Sequence, residues 1–299
     1  MFKKTALVAG IGLALSVTAQ ADYRWELGGD YTMGQVSADV KSNAGNSSDD
    51  IDTNIGRLYG TWYMETVDTS KGPLSEAAFL DHASNITISG SDGEVDLNSL
   101  DDRLSDDDGQ TYGIQSRYVA EGPGWKLSGW LVDLGYERSE PGEAEIDKYN
   151  LGIGKYITPN TTLVLNYNNI DINNVGDSDG YSADLEHMFL MSNGGFKARA
   201  SAGRTIVKER DDIDSYRVGG TWYFTNNIGI GADYLSTGAD GYEVQGWQVN
   251  SEWFISEAFA VNLAYSQLDP DDIDFSRGNV NGKVELENEA VTLGAKFRF

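Results

Sequence analysis

Residues Val291 to Phe299 alternate without a break. Val291, Leu293, Ala295, Phe297 and Phe299 fall on one face of an extended strand, and Thr292, Gly294, Lys296 and Arg298 on the other. Period two with one apolar and one polar side marks a half-buried strand. A water-soluble sheet rarely leaves Phe-Arg-Phe at its rim. In a transmembrane β-barrel the pattern has a direct cause: one face meets lipid, the other a watery lumen, and the aromatics sit at the membrane interface.

The same rhythm recurs upstream. It predicts strands over Tyr23–Met33, Asn54–Val67, Ala78–Ser89, Gln110–Ala120, Trp125–Tyr136, Lys148–Ile157 and Thr161–Ile172. It continues with Tyr181–Met191, Phe196–Val207, Ser215–Phe224, Ile228–Ser236, Glu243–Ile255, Phe259–Leu268 and Val284–Phe299. That is an all-β chain: an antiparallel barrel of fourteen strands, with 12–16 open because several strands are apolar on both faces. Connections alternate between short, such as Glu121-Gly122-Pro123-Gly124 and Thr158-Pro159-Asn160, and long, such as Gly34–Thr53 and Gly90–Gly109. Each strand is long enough to span, since a tilted crossing takes about 9–11 residues. Aromatics gather beside the short turns: Tyr156, Phe189, Phe196, Trp222, Phe224, Trp253, Phe259, Phe297 and Phe299. They are expected to form one interfacial girdle.

The chain opens with Met1-Phe2-Lys3-Lys4, an apolar run over Thr5–Val17, and Ala19-Gln20-Ala21. A charged start, a short apolar run and an A-x-A site predict a secretory signal peptide over residues 1–21, with the barrel domain over 22–299. Mean hydropathy is -0.40, which argues against helical spans but not against a barrel, whose alternating strands average out. Cysteine is absent, which suits export through an oxidising compartment.

Gly72-Pro73-Leu74-Ser75-Glu76-Ala77-Ala78-Phe79-Leu80 resembles a segment of the putative general bacterial porin family, found there between the second and third strands. The final strand is similar to the C-terminal strand of Gram-negative outer-membrane barrels, in which a terminal Phe, here Phe299, forms part of the signal read by the assembly machinery. The resemblance implies passive diffusion of small hydrophilic solutes across the outer membrane, and no cofactor. It implies outer-membrane lipid and lipopolysaccharide as surroundings, and leaves a trimer and a monomer both open.

Charge points to what such a channel would favour. Formal net charge is -25, with 47 acids against 22 basic residues, and it becomes -27 without Lys3 and Lys4. The seven long connections hold -22 of that. The densest is Gly90–Gly109, where Asp101, Asp102, Asp106, Asp107 and Asp108 would form an acidic mouth. Such a field repels nucleic acid, concentrates cations and disfavours anions. Strand parity places Glu26, Asp30, Arg57, Arg117, Asp184, Glu186, Lys197, Arg199, Arg217, Asp233, Lys296 and Arg298 on the inner wall as pore-lining residues. A single bulge inverts such a placement.

Other chemistry is weakly signalled. His82-Ala83-Ser84 puts His and Ser on one face of the expected third strand, similar to the pair of outer-membrane phospholipases, but Asp96 stands where their Asn would be. His187 reads as an ordinary strand residue. Asp177-Ser178-Asp179-Gly180 with Glu186 mimics part of a calcium loop, yet Val175 occupies its first position, so the pattern fails. It reads as a turn, no metal site is assigned and no catalytic residue is expected. The alternative to an open channel is a narrow or plugged barrel whose acidic loops bind divalent ions, lipopolysaccharide or a partner.

Overall fold

The computed structural model describes residues 22–43, 45–97, 107–120, 128–142, 144–173, 175–208, 211–239, 241–277 and 280–299. The expected signal peptide, the turn at 121–124, and Asp101, Asp102 and Asp106 lie outside these residues. The strands are β1 Tyr23–Ser42, β2 Gly45–Val67, β3 Asn85–Leu97, β4 Asp107–Val119, β5 Trp130–Pro141, β6 Ile146–Thr158, β7 Thr161–Ile172 and β8 Gly176–Leu190. They continue as β9 Gly195–Val207, β10 Ile213–Thr225, β11 Ile228–Ala239, β12 Tyr242–Ser256, β13 Phe259–Pro270, β14 Ile273–Arg277 and β15 Val280–Arg298. Every consecutive pair from β1 to β13 is an antiparallel neighbour, β13 pairs β15, and β15 returns to β1. The ring therefore closes with fourteen strands. The short β14 lies along the far end of β15, from Ile273↔Val284 to Arg277↔Val280. Among the described residues no helix is long and apolar enough to cross a membrane.

Closure leaves none of the fourteen ring strands at a free sheet edge, which is what a lipid environment demands of a strand protein. At the seam the backbone N–H groups of Arg24 and Trp25 donate to the Phe299 carbonyl at 3.0 and 2.8 Å, and the Phe299 N–H donates to the Trp25 carbonyl at 3.0 Å.

The outward face is apolar in mid-strand: Leu27, Leu58, Ile88, Ile114, Leu134, Leu165, Val218, Ile230 and Leu293 are all exposed. Aromatics bound this band on the short-turn side, where Phe189, Phe196 and Trp222 form a row over β8, β9 and β10 at 6.2 Å spacing. A second row bounds the other side, through Tyr136–Tyr149, Tyr167–Tyr181 and Trp247–Tyr265. Two girdles enclosing an aliphatic belt are the signature of lipid contact on both sides. One expected girdle member is corrected: Tyr156 is buried and points inward.

The strands run past the belt at the long-connection end. Gly34–Thr53, read as a loop, is a continuation of the β1–β2 hairpin, paired from Gly34↔Thr53 to Ser42↔Gly45. Gly90–Leu97 and Asp107–Gly109 likewise extend β3 and β4, and Asp177–Gly180 lies in β8 and not in a turn. The physical reason is common to all. Where both faces meet water no alternation is needed, so polar strands carry no period-two signal.

The third expected strand is also corrected. Ala77–Leu80 is a short helix, preceded by single 3-10 turns at Thr69–Lys71 and Leu74–Glu76, and β3 starts only at Asn85. β5 starts at Trp130, five residues beyond the expected Trp125.

Candidate functional site: a charged lumen above a folded-in connection

The segment from Asp68 to Ser84 joins β2 to β3 at the short-turn end, where the four joins from β6 to β13 take two to four residues. Its apolar side chains are packed inside the barrel and not against lipid. Phe79 and Leu80 form one buried cluster with Val119, Leu131, Tyr156, Val164, Met188 and Tyr223, which come from β4 to β8 and from β10. Leu74 packs with Phe254 and Ala260 of β12 and β13. The segment thus spans the barrel interior and touches its far walls.

Polar bonds fix it. The Asp68 carboxylate caps the first turn, accepting from the Ser70 N–H at 2.8 Å. The Leu74 N–H donates to the Asn226 carbonyl at 2.8 Å, the Tyr156 hydroxyl donates to the Phe79 carbonyl at 3.0 Å, and Arg298 Nη1 donates to the Leu74 carbonyl at 2.8 Å. Glu76 is the central anchor. Its carboxylate lies 2.9 Å from Lys197 Nζ and accepts from the Tyr223 hydroxyl at 2.5 Å. Burial alone would push this carboxyl up, but Lys197 and the two hydrogen bonds outweigh it and hold Glu76 below its ordinary value.

His82 and Ser84 sit in this connection and not on a strand face. His82 has a left-handed φ of 56°, stacks on Tyr156 at 3.8 Å between ring centres, and its Nε2 is 2.7 Å from the Pro159 carbonyl. The Ser84 hydroxyl accepts from the Val119 N–H at 2.9 Å. Each is committed to a separate backbone partner, so the nucleophile–base pairing is not formed.

Beyond the segment the barrel wall carries charged side chains, most of them in pairs. Arg298 holds Glu26 at 2.6 Å, and Lys296 holds Glu252 at 2.5 Å. Lys197 bridges Glu76 and, at 3.2 Å, Glu186. Arg199 grips Asp233 with two bonds of 3.2 and 2.8 Å, and Arg117 grips Asp133 with two of 2.8 and 2.7 Å. Asp30 and Arg57 are opposite one another across β1 and β2. Asp184 and Arg217 line a cavity of about 250 Å³ together with Arg117, Asp133, Glu186 and Arg199.

Glycines make room for the pairs. An ideal Cβ on Gly219 would stand 2.1 Å from Asp233 Oδ1, so the Arg199–Asp233 fork passes directly over that backbone. The parity reading missed Glu76, Asp133 and Glu252. Glu76 is the one acid in the Gly72–Leu80 motif. Asp133 sits in β5, whose apolar residues fall on both faces.

At the far end the hairpins are acidic but interlaced: Lys41–Glu285, Lys208–Asp177, Arg204–Asp214 and Lys283–Asp272 pair at 2.5–2.6 Å. Asp107 and Asp108 are paired through their backbones in β4. Among the described residues no group of three or more His, Asp or Glu is arranged to hold a metal ion.

Residues 29–200 match the family described as putative general bacterial porin. In fold the chain is similar to the Acinetobacter baumannii outer membrane protein Omp33, with a TM-score of 0.60 at 20% identity, covering 93% of this chain and 99% of that one. It is also similar to the deltaS2S3 mutant of the P. putida TodX monoaromatic hydrocarbon channel, with a TM-score of 0.50 at 9% identity over 96% and 92% of the two chains. No curated protein matches it in sequence.

Proposed function

The chain belongs to the family of putative general bacterial porins, and we propose that it lets small hydrophilic solutes diffuse passively across the outer membrane, with a preference for cations. It is a barrel of the Gram-negative outer membrane and a channel for small solutes. Its short turns then face the periplasm and its long hairpins the cell exterior.

The observation that carries the reading is the inner wall. A sealed barrel would fill its centre with apolar side chains. Here Arg117–Asp133, Arg199–Asp233, Lys296–Glu252 and Arg298–Glu26 line the wall as charge pairs. Such a wall favours water and polar solutes, and an apolar solute would have to displace ordered water to pass.

Cation preference follows from the exterior hairpins, which hold most of the net charge. A dense negative mouth raises the local cation concentration before any solute meets the lumen. The proposed path runs past Asp101, Asp102, Asp106, Asp107 and Asp108 and then along the twelve inner-wall residues.

A second reading is favoured by one observation, the Asp68–Ser84 connection inside the periplasmic end. In that reading the barrel is narrow or closed, and its acidic hairpins bind divalent ions or lipopolysaccharide. Planar-bilayer recording under a salt gradient separates the two. Stable cation-selective steps support the channel; silence from a barrel demonstrated to be folded rejects it in favour of the second reading.

A further inference from the structure

Not every charge on the inner wall is paired. Arg117 and Arg199 are each doubly bonded to an acid. Arg217 has no ion-pair or hydrogen-bond partner among the described residues, although it lines the same cavity. Asp184 also lines it, and its partners are neutral: the Asn166 amide and the Ser182 hydroxyl.

The sheet register relates the two. Arg217 on β10 is opposite Ser201 on β9, and Ser201 is opposite Asp184 on β8. The three form one lateral row of cation, hydroxyl and anion, all lining the cavity. Neighbouring strands are about 4.8 Å apart, so the Arg217 and Asp184 Cα atoms are about 10 Å apart. The guanidinium and carboxylate therefore face one space without meeting.

We propose that this row is a binding site for a small zwitterion of the α-amino acid type, with its carboxylate on Arg217, its ammonium on Asp184 and a polar atom on Ser201. A guanidinium fork suits a carboxylate, and a carboxylate suits an ammonium, through charge-assisted hydrogen bonds. A lone anion on Arg217 meets Asp184 and Glu186; a lone cation on Asp184 meets Arg117, Arg199 and Arg217. A zwitterion answers both charges. The fixed pairs Arg117–Asp133 and Arg199–Asp233 wall the site without adding net charge. The cavity, about 250 Å³, falls below the range of about 300–1,000 Å³ typical of drug-sized ligands, which fits a ligand of a few heavy atoms. The inference rests on the channel reading for access to the site.

The test has two arms on the folded full barrel. Saturation-transfer NMR in micelles reads binding, with L-serine as probe, and glycerol, L-lactate and ethanolamine as uncharged and singly charged controls. Flux of L-serine and glycerol into proteoliposomes reads passage. L-serine is expected to bind saturably and more strongly than all three controls. Binding should fall roughly tenfold or more in R217Q and in D184N, as for the loss of one charge-assisted hydrogen bond, with partial recovery in R217K, which restores the charge but not the fork. Far-UV circular dichroism and heat-modifiable gel mobility should match the parent barrel in all three variants, which shows that they are folded. L-serine binding no stronger than glycerol, or unmoved by R217Q and D184N, overturns the site even when glycerol passes. Binding without flux of either solute leaves the site standing and rejects the channel.

Discussion

Lys197 Nζ lies 2.9 Å from Glu76 Oε2, across 121 residues of chain. This contact ties the barrel wall to the connection folded into its end. Both partners are almost fully buried, so breaking the pair leaves a charge without water. The K197M variant should destabilise the barrel by roughly 3 kcal/mol, as for removal of one partner of a buried ion pair. E76Q should cost less, because Glu186 still holds Lys197 at 3.2 Å. Denaturant unfolding in micelles checks the order of the two.

The same contact predicts a conductance change. With Glu76 released, the Asp68–Ser84 connection loses its central anchor, and the periplasmic end should open further. Single-channel conductance of E76Q is expected to rise above that of the parent barrel. Equal conductance would show that the connection does not limit flow.

Acid should act at the same place. The Glu76 carboxyl is held below its ordinary value of 4.5 in the folded protein. A depressed carboxyl contributes stability that is fully present above its unfolded value and is lost as pH falls through the folded one. The connection should therefore stay docked at neutral pH and loosen below about pH 4.5. Protease accessibility of Asp68–Ser84 as pH falls, compared with E76Q, reads this; E76Q should lose the response.

Gly219 offers a steric prediction. In G219A the added methyl would meet Asp233 Oδ1 and, at 2.7 Å, the Ala232 carbonyl. Backbone does not move aside as a side chain does, so a cost of about 1–3 kcal/mol is expected. The Arg199–Asp233 fork should part, altering conductance without removing a charge.

Neutralising Asp101, Asp102, Asp106, Asp107 and Asp108 to Asn should lower the cation-to-anion permeability ratio at 0.1 M salt, where screening reaches only about 10 Å. The difference between the two proteins should shrink as salt rises. Reversal potentials across a salt gradient measure it.

The fold was readable wherever a strand has one face in lipid. Leu293 and Phe297 on one face put Lys296 and Arg298 on the other, and Arg117, Arg199 and Arg217, which share a face by the same parity, line one cavity. The misreadings share two physical causes. Outer hairpins such as Gly34–Thr53 are wet on both faces and lose the alternation. Near the periplasmic end, inward positions are apolar because the Asp68–Ser84 connection packs on them. Leu131 and Tyr156 therefore read as lipid-facing or ambiguous, and Asp133 was hidden beside them. Glu76 could not be read as a wall partner, because its contact with Lys197 depends on a connection turning inward. Nothing in the local pattern of Gly72–Leu80 specifies that turn.

The ring is built of local hairpins with one exception, the seam at which Glu26 and Arg298 meet across 272 residues. Assembly can add strands one after another, each beside its predecessor, but the last pairing must bring together the two ends of the finished sheet. Until then β1 and β15 are open edges, the surfaces most prone to pair with another chain. Arg298 also holds the Leu74 carbonyl, so the residue that closes the seam is the residue that secures the folded-in connection. Closure of the ring and docking of the connection are therefore coupled through a single arginine.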